Sequence, residues 1–182
     1  INSRSYHSII NLREKNLIFI IGGEKNSSSE IFLYTEFISM KLPCLNYPRA
    51  SSTLFIQKNN YLWAFCGFRN SIIDKSIVGS FEKLDISEII DNTPFTALWE
   101  KVNIINNCNV ELHFEYVGIM PITDSHAFIY GGYDQRSYKR SLIMIDFINN
   151  KLFSIKDKEF ADLKLKLLDD EKFDKYMSLV NL

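Results

Sequence analysis

One apolar phrase occurs three times in this chain and closes on glycine each time: Leu17-Ile-Phe-Ile-Ile-Gly-Gly23, Tyr61-Leu-Trp-Ala-Phe-Cys-Gly67 and His126-Ala-Phe-Ile-Tyr-Gly-Gly132. An aromatic residue (Phe19, Trp63, Phe128) stands four positions before the last glycine in every copy, and these places hold five of the chain's 7 glycines. Self-similarity over tens of residues restricts the fold to architectures that reuse one supersecondary unit, each copy burying an apolar face against the next.

Each phrase is a short, continuous apolar run bounded by turn residues, the pattern of a strand buried on both faces and too short for a buried helix. A second strand-like stretch precedes each one (5–12, 50–56, 114–122), joined through the polar turns 13–16, 57–60 and 123–125, so the pairs read as hairpins. A third strand follows at 31–34, 80–86 and 142–147, and a fourth at 37–40, 98–102 and 152–155. Each unit is therefore expected to be a four-stranded antiparallel meander. Residues 87–97 read as an insertion in the second unit, and 103–109 as a polar loop leading to the third. Loop insertions are tolerated because closure entropy grows only slowly with length.

These residues resemble the kelch repeat family, whose unit has an opening Arg, a Gly-Gly doublet ending the second strand, a Tyr in the third and a Trp in the fourth. The matching residues are Arg4, Gly22, Gly23 and Tyr34, then Arg49, Gly67 and Trp99, then Gly131 and Gly132, with Phe153 in place of the Trp. Cys66 replaces the first glycine of the second doublet, the first unit has no Trp, and the third has no opening Arg. The resemblance implies an all-β fold over residues 1–155: a partial β-propeller of about three four-stranded antiparallel blades, at about 4–42, 48–103 and 113–155. Propellers close with roughly four to eight blades. Three leave the ring open, so remaining blades or a second copy are expected to complete it; the start at Ile1 rather than Met points the same way.

From 156 to 182 the pattern changes. Lys, Asp and Glu are dense, and Phe160, Leu163, Leu167, Phe173, Met177 and Val180 fall at helical spacing, so a short, charged α-helical C-terminal extension is expected. The alternation over 163–167 equally suits a strand.

Charge and chemistry-bearing residues exclude several classes of function. With 21 basic against 22 acidic residues, the chain has no surplus of positive charge for a polyanion, and no nucleic-acid partner is expected. No stretch reaches the roughly 18 apolar residues a membrane-spanning helix requires, and no membrane partner is expected. Cys44, Cys66 and Cys108 form no CxxC pair, which points away from a disulfide framework or zinc site and toward a reducing, cytoplasmic compartment. The doublets lack the further residues of a phosphate-binding loop. His7, His113 and His126 are isolated; Asp124, Ser125 and His126 are consecutive, whereas triad members converge from separate elements. Neither cofactor nor metal is expected, and no enzyme reading is supported.

The resemblance implies instead a noncatalytic protein-protein interaction module, the scaffold or substrate-receptor part of a larger protein. In that family, ligands dock on loops between second and third strands and on the junctions between blades. The corresponding residues here are Glu24, Lys25 and Asn26; Phe68, Arg69 and Asn70; Tyr133, Asp134, Gln135 and Arg136; and Tyr47 with Arg49 at a junction. Arg69, Tyr133 and Arg136 stand foremost, since Arg and Tyr combine apolar area with directional hydrogen bonds. Two alternatives stand beside this: solvated loops without a partner, and half of a propeller enzyme whose active site lies outside the segment.

Overall fold

The computed structural model describes residues 5–23, 31–35, 38–68, 79–89, 96–106, 115–134 and 136–155. They form an all-β arrangement of three sheets. The first is β1 (Ser8–Leu12), β2 (Leu17–Ile21), β3 (Ile31–Thr35) and β4 (Ile38–Leu42), in that spatial order. The second is β5 (Thr53–Gln57), β6 (Tyr61–Phe65), β7 (Phe81–Asp85) and β8 (Glu100–Val102). A two-residue strand, β9 (Ile105–Asn106), precedes the third sheet, which runs β10 (Gly118–Thr123), β11 (His126–Tyr130), β12 (Leu142–Asp146), β13 (Lys151–Ser154) and then β9. Every sequential pair within a sheet is antiparallel.

Three details differ from the sequence expectation. The first strands begin later than 5, 50 and 114, because Tyr6, Ser51 and Tyr116, each two residues ahead of its strand, take positive φ of 55°, 50° and 55° and break the extended run. Among the described residues, isolated bridges at Ala50↔Phe68 and Glu115↔Tyr133 are all that extends beyond the break. Secondly, the loop expected over 103–109 contains β9, which pairs in parallel with β13 (Lys151↔Ile105, Leu152↔Asn106), so the third sheet has five strands rather than four and is not purely antiparallel. Thirdly, β2 is buried only at alternate residues (Leu17, Phe19, Ile21), whereas Leu62 to Phe65 of β6 are continuously buried. A strand buried on both faces loses the inside-outside alternation of one covered on a single face. The α-helical extension expected over 156–182 lies outside the described residues.

The core explains the difference. One apolar cluster joins Phe19, Ile21 and Leu12 of the first sheet to Leu54, Leu62, Ala64 and Leu84 of the second, with Trp99. Another joins Phe55, Trp63, Phe65 and Phe81 of the second sheet to Ala127, Ile129, Ile143 and Ile145 of the third. The second sheet is thus covered on both faces. Phe147 stacks on Phe55 with ring centroids 4.2 Å apart and planes at 6°, an arrangement that adds to the area the two rings bury. A third cluster, Phe128, Met144 and Phe153, is drawn among the described residues from the third sheet alone. The first strands lie side by side, β1 against β5 and β5 against β10. Side-chain hydrogen bonds span them: Ser8 Oγ donates to the Ser52 carbonyl at 2.6 Å, and Thr53 Oγ1 to the Val117 carbonyl at 3.1 Å.

Among the described residues, no helix is long and apolar enough to cross a membrane.

Candidate functional site

The site grows out of the three doublets. Gly22 and Gly23 have φ of 68° and 120°, and Gly131 and Gly132 have 72° and 104°. In the second unit Cys66 adopts 56° and Gly67 86°, so Cys66 keeps the left-handed geometry although it is not glycine. That conformation costs a non-glycine residue about 1–2 kcal/mol. Cys66 is fully buried in the cluster shared by the second and third sheets, which offsets the strain. Each doublet stands just past the C-terminal end of its second strand, where left-handed backbone breaks the extended run. Since β1 and β2 are antiparallel, with Ser8 opposite Ile21, that end also carries the segments that lead into the first strands.

Arg49, four residues ahead of β5, is 1% exposed. Its Nη2 donates to Glu82 Oε1 at 2.6 Å and to Ser80 Oγ at 2.9 Å, while Nη1 donates to the carbonyls of Ser80 at 2.9 Å and Cys66 at 3.2 Å. Glu82, equally buried, also accepts the backbone N–H groups of Asn46 at 2.6 Å and Tyr47 at 3.2 Å. Burial pulls the guanidinium below its ordinary value, and the charge of Glu82 and its hydrogen bond pull it back. A buried charge pair is tolerated only when its remaining donors and acceptors are satisfied, and here the surrounding carbonyls and N–H groups do this. The pair fixes the connection between the first and second sheets. Arg49, expected among the partner-facing residues, faces inward.

What that end presents to solvent is aromatic. Tyr6 meets Phe68 edge-on, with ring centroids 6.1 Å apart. Tyr133 bridges both Glu115 and Tyr138, and its ring lies 5.1 Å from that of Tyr138. Tyr138 is 83% exposed, and Tyr6, Tyr116 and Tyr47 are also exposed. Lys101 Nζ lies 4.4 Å above the Tyr47 ring. Asp134 closes the third loop: its Oδ1 accepts the N–H groups of Arg136 at 3.0 Å and Ser137 at 2.8 Å, and its Oδ2 takes Lys139 Nζ at 2.6 Å. The bond from Lys139, followed by those from Ser137 and Arg136, holds the Asp134 carboxyl well below the usual carboxylate range. Arg136 and Arg140 are exposed, and among the described residues neither makes an ion pair.

Of the residues singled out from the sequence, Phe68, Tyr133, Asp134, Arg136 and Tyr47 lie at this end, with Asp134 shaping the loop rather than facing a partner. Lys25 and Arg69, with Glu24, Asn26, Asn70 and Gln135, lie outside the described residues. Trp99 is buried between the first and second sheets, and its indole N–H has no hydrogen-bond partner among the described residues. Sequence reasoning missed Tyr6, Tyr116 and Tyr138. The repeat phase could have found the first two, since Tyr6 and Tyr116 are equivalent positions; Tyr138 lies beyond the residues adjoining the doublet.

At the opposite end the hairpin turns are polar. Thr123 Oγ1 and His126 Nδ1 are 2.9 Å apart, and His126 Nε2 lies 3.6 Å from Asp146 Oδ2. Asp146 Oδ1 accepts the N–H groups of Ile148 and Asn149, and all three side chains of this set serve the two turns they join. Among the described residues, no group of three His, Cys, Asp or Glu side chains could hold a metal ion. No family model matches the chain, and no curated protein matches it.

Proposed function

We propose that this chain is a noncatalytic, cytoplasmic protein-interaction module built on a partial kelch-type β-propeller of about three blades. The radial reading is supported by three meanders whose first strands adjoin in sequence order, β1 to β5 to β10, while their faces share apolar clusters. It is supported again by the left-handed doublet at the same place in each unit, with cysteine standing in for glycine once.

The observation that carries the interaction reading is the aromatic end. Tyr6 and Phe68 pair beside the second doublet and Tyr133 and Tyr138 beside the third, with Tyr116 exposed ahead of β10, and the exposed Arg136 and Arg140 make no ion pair among the described residues. Rigid aromatics with adjacent arginines are the residue types that anchor protein partners. The partner that fits is a protein segment offering apolar side chains and carboxylates.

The test is affinity capture with wild-type chain beside the Tyr133→Ala/Arg136→Ala/Tyr138→Ala variant. A partner held by wild type and lost by the variant, with thermal unfolding of the two unchanged, is the expected result. Equal capture by both removes this surface from consideration.

A further inference from the structure

The segment after the third doublet carries an aromatic pair and a pair of cations side by side. Tyr133 and Tyr138 stand opposite each other in an isolated antiparallel bridge, which puts their side chains on one face, and their rings lie 5.1 Å apart with planes at 42°. Tyr138 is 83% exposed, and among the described residues its phenol makes no hydrogen bond. Arg136 and Arg140 each stand two residues from Tyr138; both are exposed, and neither joins an ion pair among the described residues. The other two charges of the segment, Asp134 and Lys139, pair with each other at 2.6 Å. What is left unmatched is two guanidinium groups beside an open ring.

The backbone there is largely spent. The N–H of Tyr133 donates to the Glu115 carbonyl at 2.9 Å, that of Asp134 to Ser137 at 3.3 Å and that of Lys139 to Gly132 at 2.8 Å, while those of Arg136 and Ser137 go to the Asp134 carboxylate. An added strand needs a run of free N–H and carbonyl groups, and a docked amphipathic helix needs a long apolar groove. A polyproline II segment needs neither. It makes no internal hydrogen bonds, so its carbonyls are open acceptors, and it docks on aromatic side chains. It is also stiff before it binds, and the Asp134 bonds fix the receiving residues in the same way, so little freedom is lost on association. Two unmatched guanidinium groups call for carboxylates beside the prolines.

We infer that the segment recognised here is proline-rich, in polyproline II conformation, with acidic residues on both sides of its prolines. Its pyrrolidine rings seat against Tyr133 and Tyr138, the exposed phenol donates to one of its carbonyls, and Arg136 and Arg140 take its carboxylates. The inference rests on the interaction reading above and narrows the class of partner.

The probe is a synthetic, fluorescently labelled peptide of consecutive prolines with glutamates at both ends, titrated with the full chain and followed by anisotropy. Binding by wild type is expected, at least about tenfold weaker for Tyr138→Ala, as for an anchoring aromatic. A peptide with alanines for the prolines, and one with lysines for the glutamates, should each lose binding. The Arg136→Glu/Arg140→Glu variant should lose the glutamate peptide and gain the lysine peptide, a gain that an unfolded chain would not show. No binding of the glutamate peptide by wild type, equal binding of the alanine peptide, or an unchanged preference in the charge-reversed variant overturns the inference. Its failure is separable from that of the interaction reading: if the peptide does not bind but the triple variant above still loses a captured partner, only the proline class falls, whereas equal capture by that variant removes the surface itself.

Discussion

The carbonyl oxygen of Arg49 occupies the space where a side chain on Gly22 would start: a Cβ there would lie 2.1 Å from that oxygen, far inside any tolerated contact. Gly131 has nearly the same φ, 72° against 68°, but among the described residues its equivalent Cβ would meet nothing closer than the Lys139 carbonyl at 3.6 Å. Both substitutions to alanine carry the left-handed strain of about 1–2 kcal/mol. Only the first also forces the backbones of the first and second sheets apart. Gly131→Ala should cost about 1 kcal/mol in chemical denaturation, and Gly22→Ala several. Equal costs would mean that the Gly22–Arg49 approach is not maintained in solution.

Arg49 and Glu82 bury opposite charges together, so removing one leaves the other without compensation. Arg49→Met is expected to destabilise by about 3–5 kcal/mol, and Glu82→Leu by a similar amount. The double variant removes both charges and should be less destabilised than the sum of the singles, as a double-mutant cycle in urea would reveal. Additive losses would show that the two side chains are not paired.

Asp134 gives the aromatic end a defined pH response. Its carboxyl is held below the ordinary 3.8, mainly by Lys139 and by the N–H groups of Ser137 and Arg136. A depressed carboxyl contributes its ordering fully above the unfolded value and loses it as pH falls through the folded one. Near-ultraviolet signals of Tyr133 and Tyr138 should therefore be constant from neutrality down to about pH 4 and change only in stronger acid. Asp134→Asn should show the altered signal already at neutral pH. A transition of the wild-type loop above pH 5 would contradict the assigned bonding.

Phe147 belongs to the third sheet's turn but packs into the second sheet, stacked on Phe55 and tilted against Trp63 with centroids 4.9 Å apart. Phe147→Ala should cost about 3–5 kcal/mol, as large-to-small changes in a packed core do. Because Trp63 loses a neighbour, its fluorescence should shift to the red in the folded variant. An unshifted spectrum with little loss of stability would separate the second sheet from the third.

How much of this could be read beforehand differs from residue to residue. The strands β2, β6 and β11 are legible because an apolar run ending in a positive-φ residue has few other uses, and Cys66 could be aligned from its neighbours although its type gave no hint of left-handed backbone. The breaks at Tyr6, Ser51 and Tyr116 were hidden, since neither tyrosine nor serine advertises positive φ. The pairing of β9 was hidden because Ile105–Asn106 has no pattern long enough to read. Arg49 illustrates a different limit: a guanidinium at a loop suits a partner's carboxylate as well as an internal one, and only the fold brings Glu82, 33 residues away, within 2.6 Å.

The parallel pairing of β9 with β13 also bears on how the molecule resists aggregation. An outermost strand with free N–H and carbonyl groups is a template for recruiting foreign strands. In the third sheet Ile105 and Asn106 stand over part of that rim, with the Ile105 N–H donating to the Asn150 carbonyl at 2.8 Å. Fibril-type growth on that flank would first have to peel this guard away, so variants such as Ile105→Pro should hasten fibre formation there without altering the interior of the sheet.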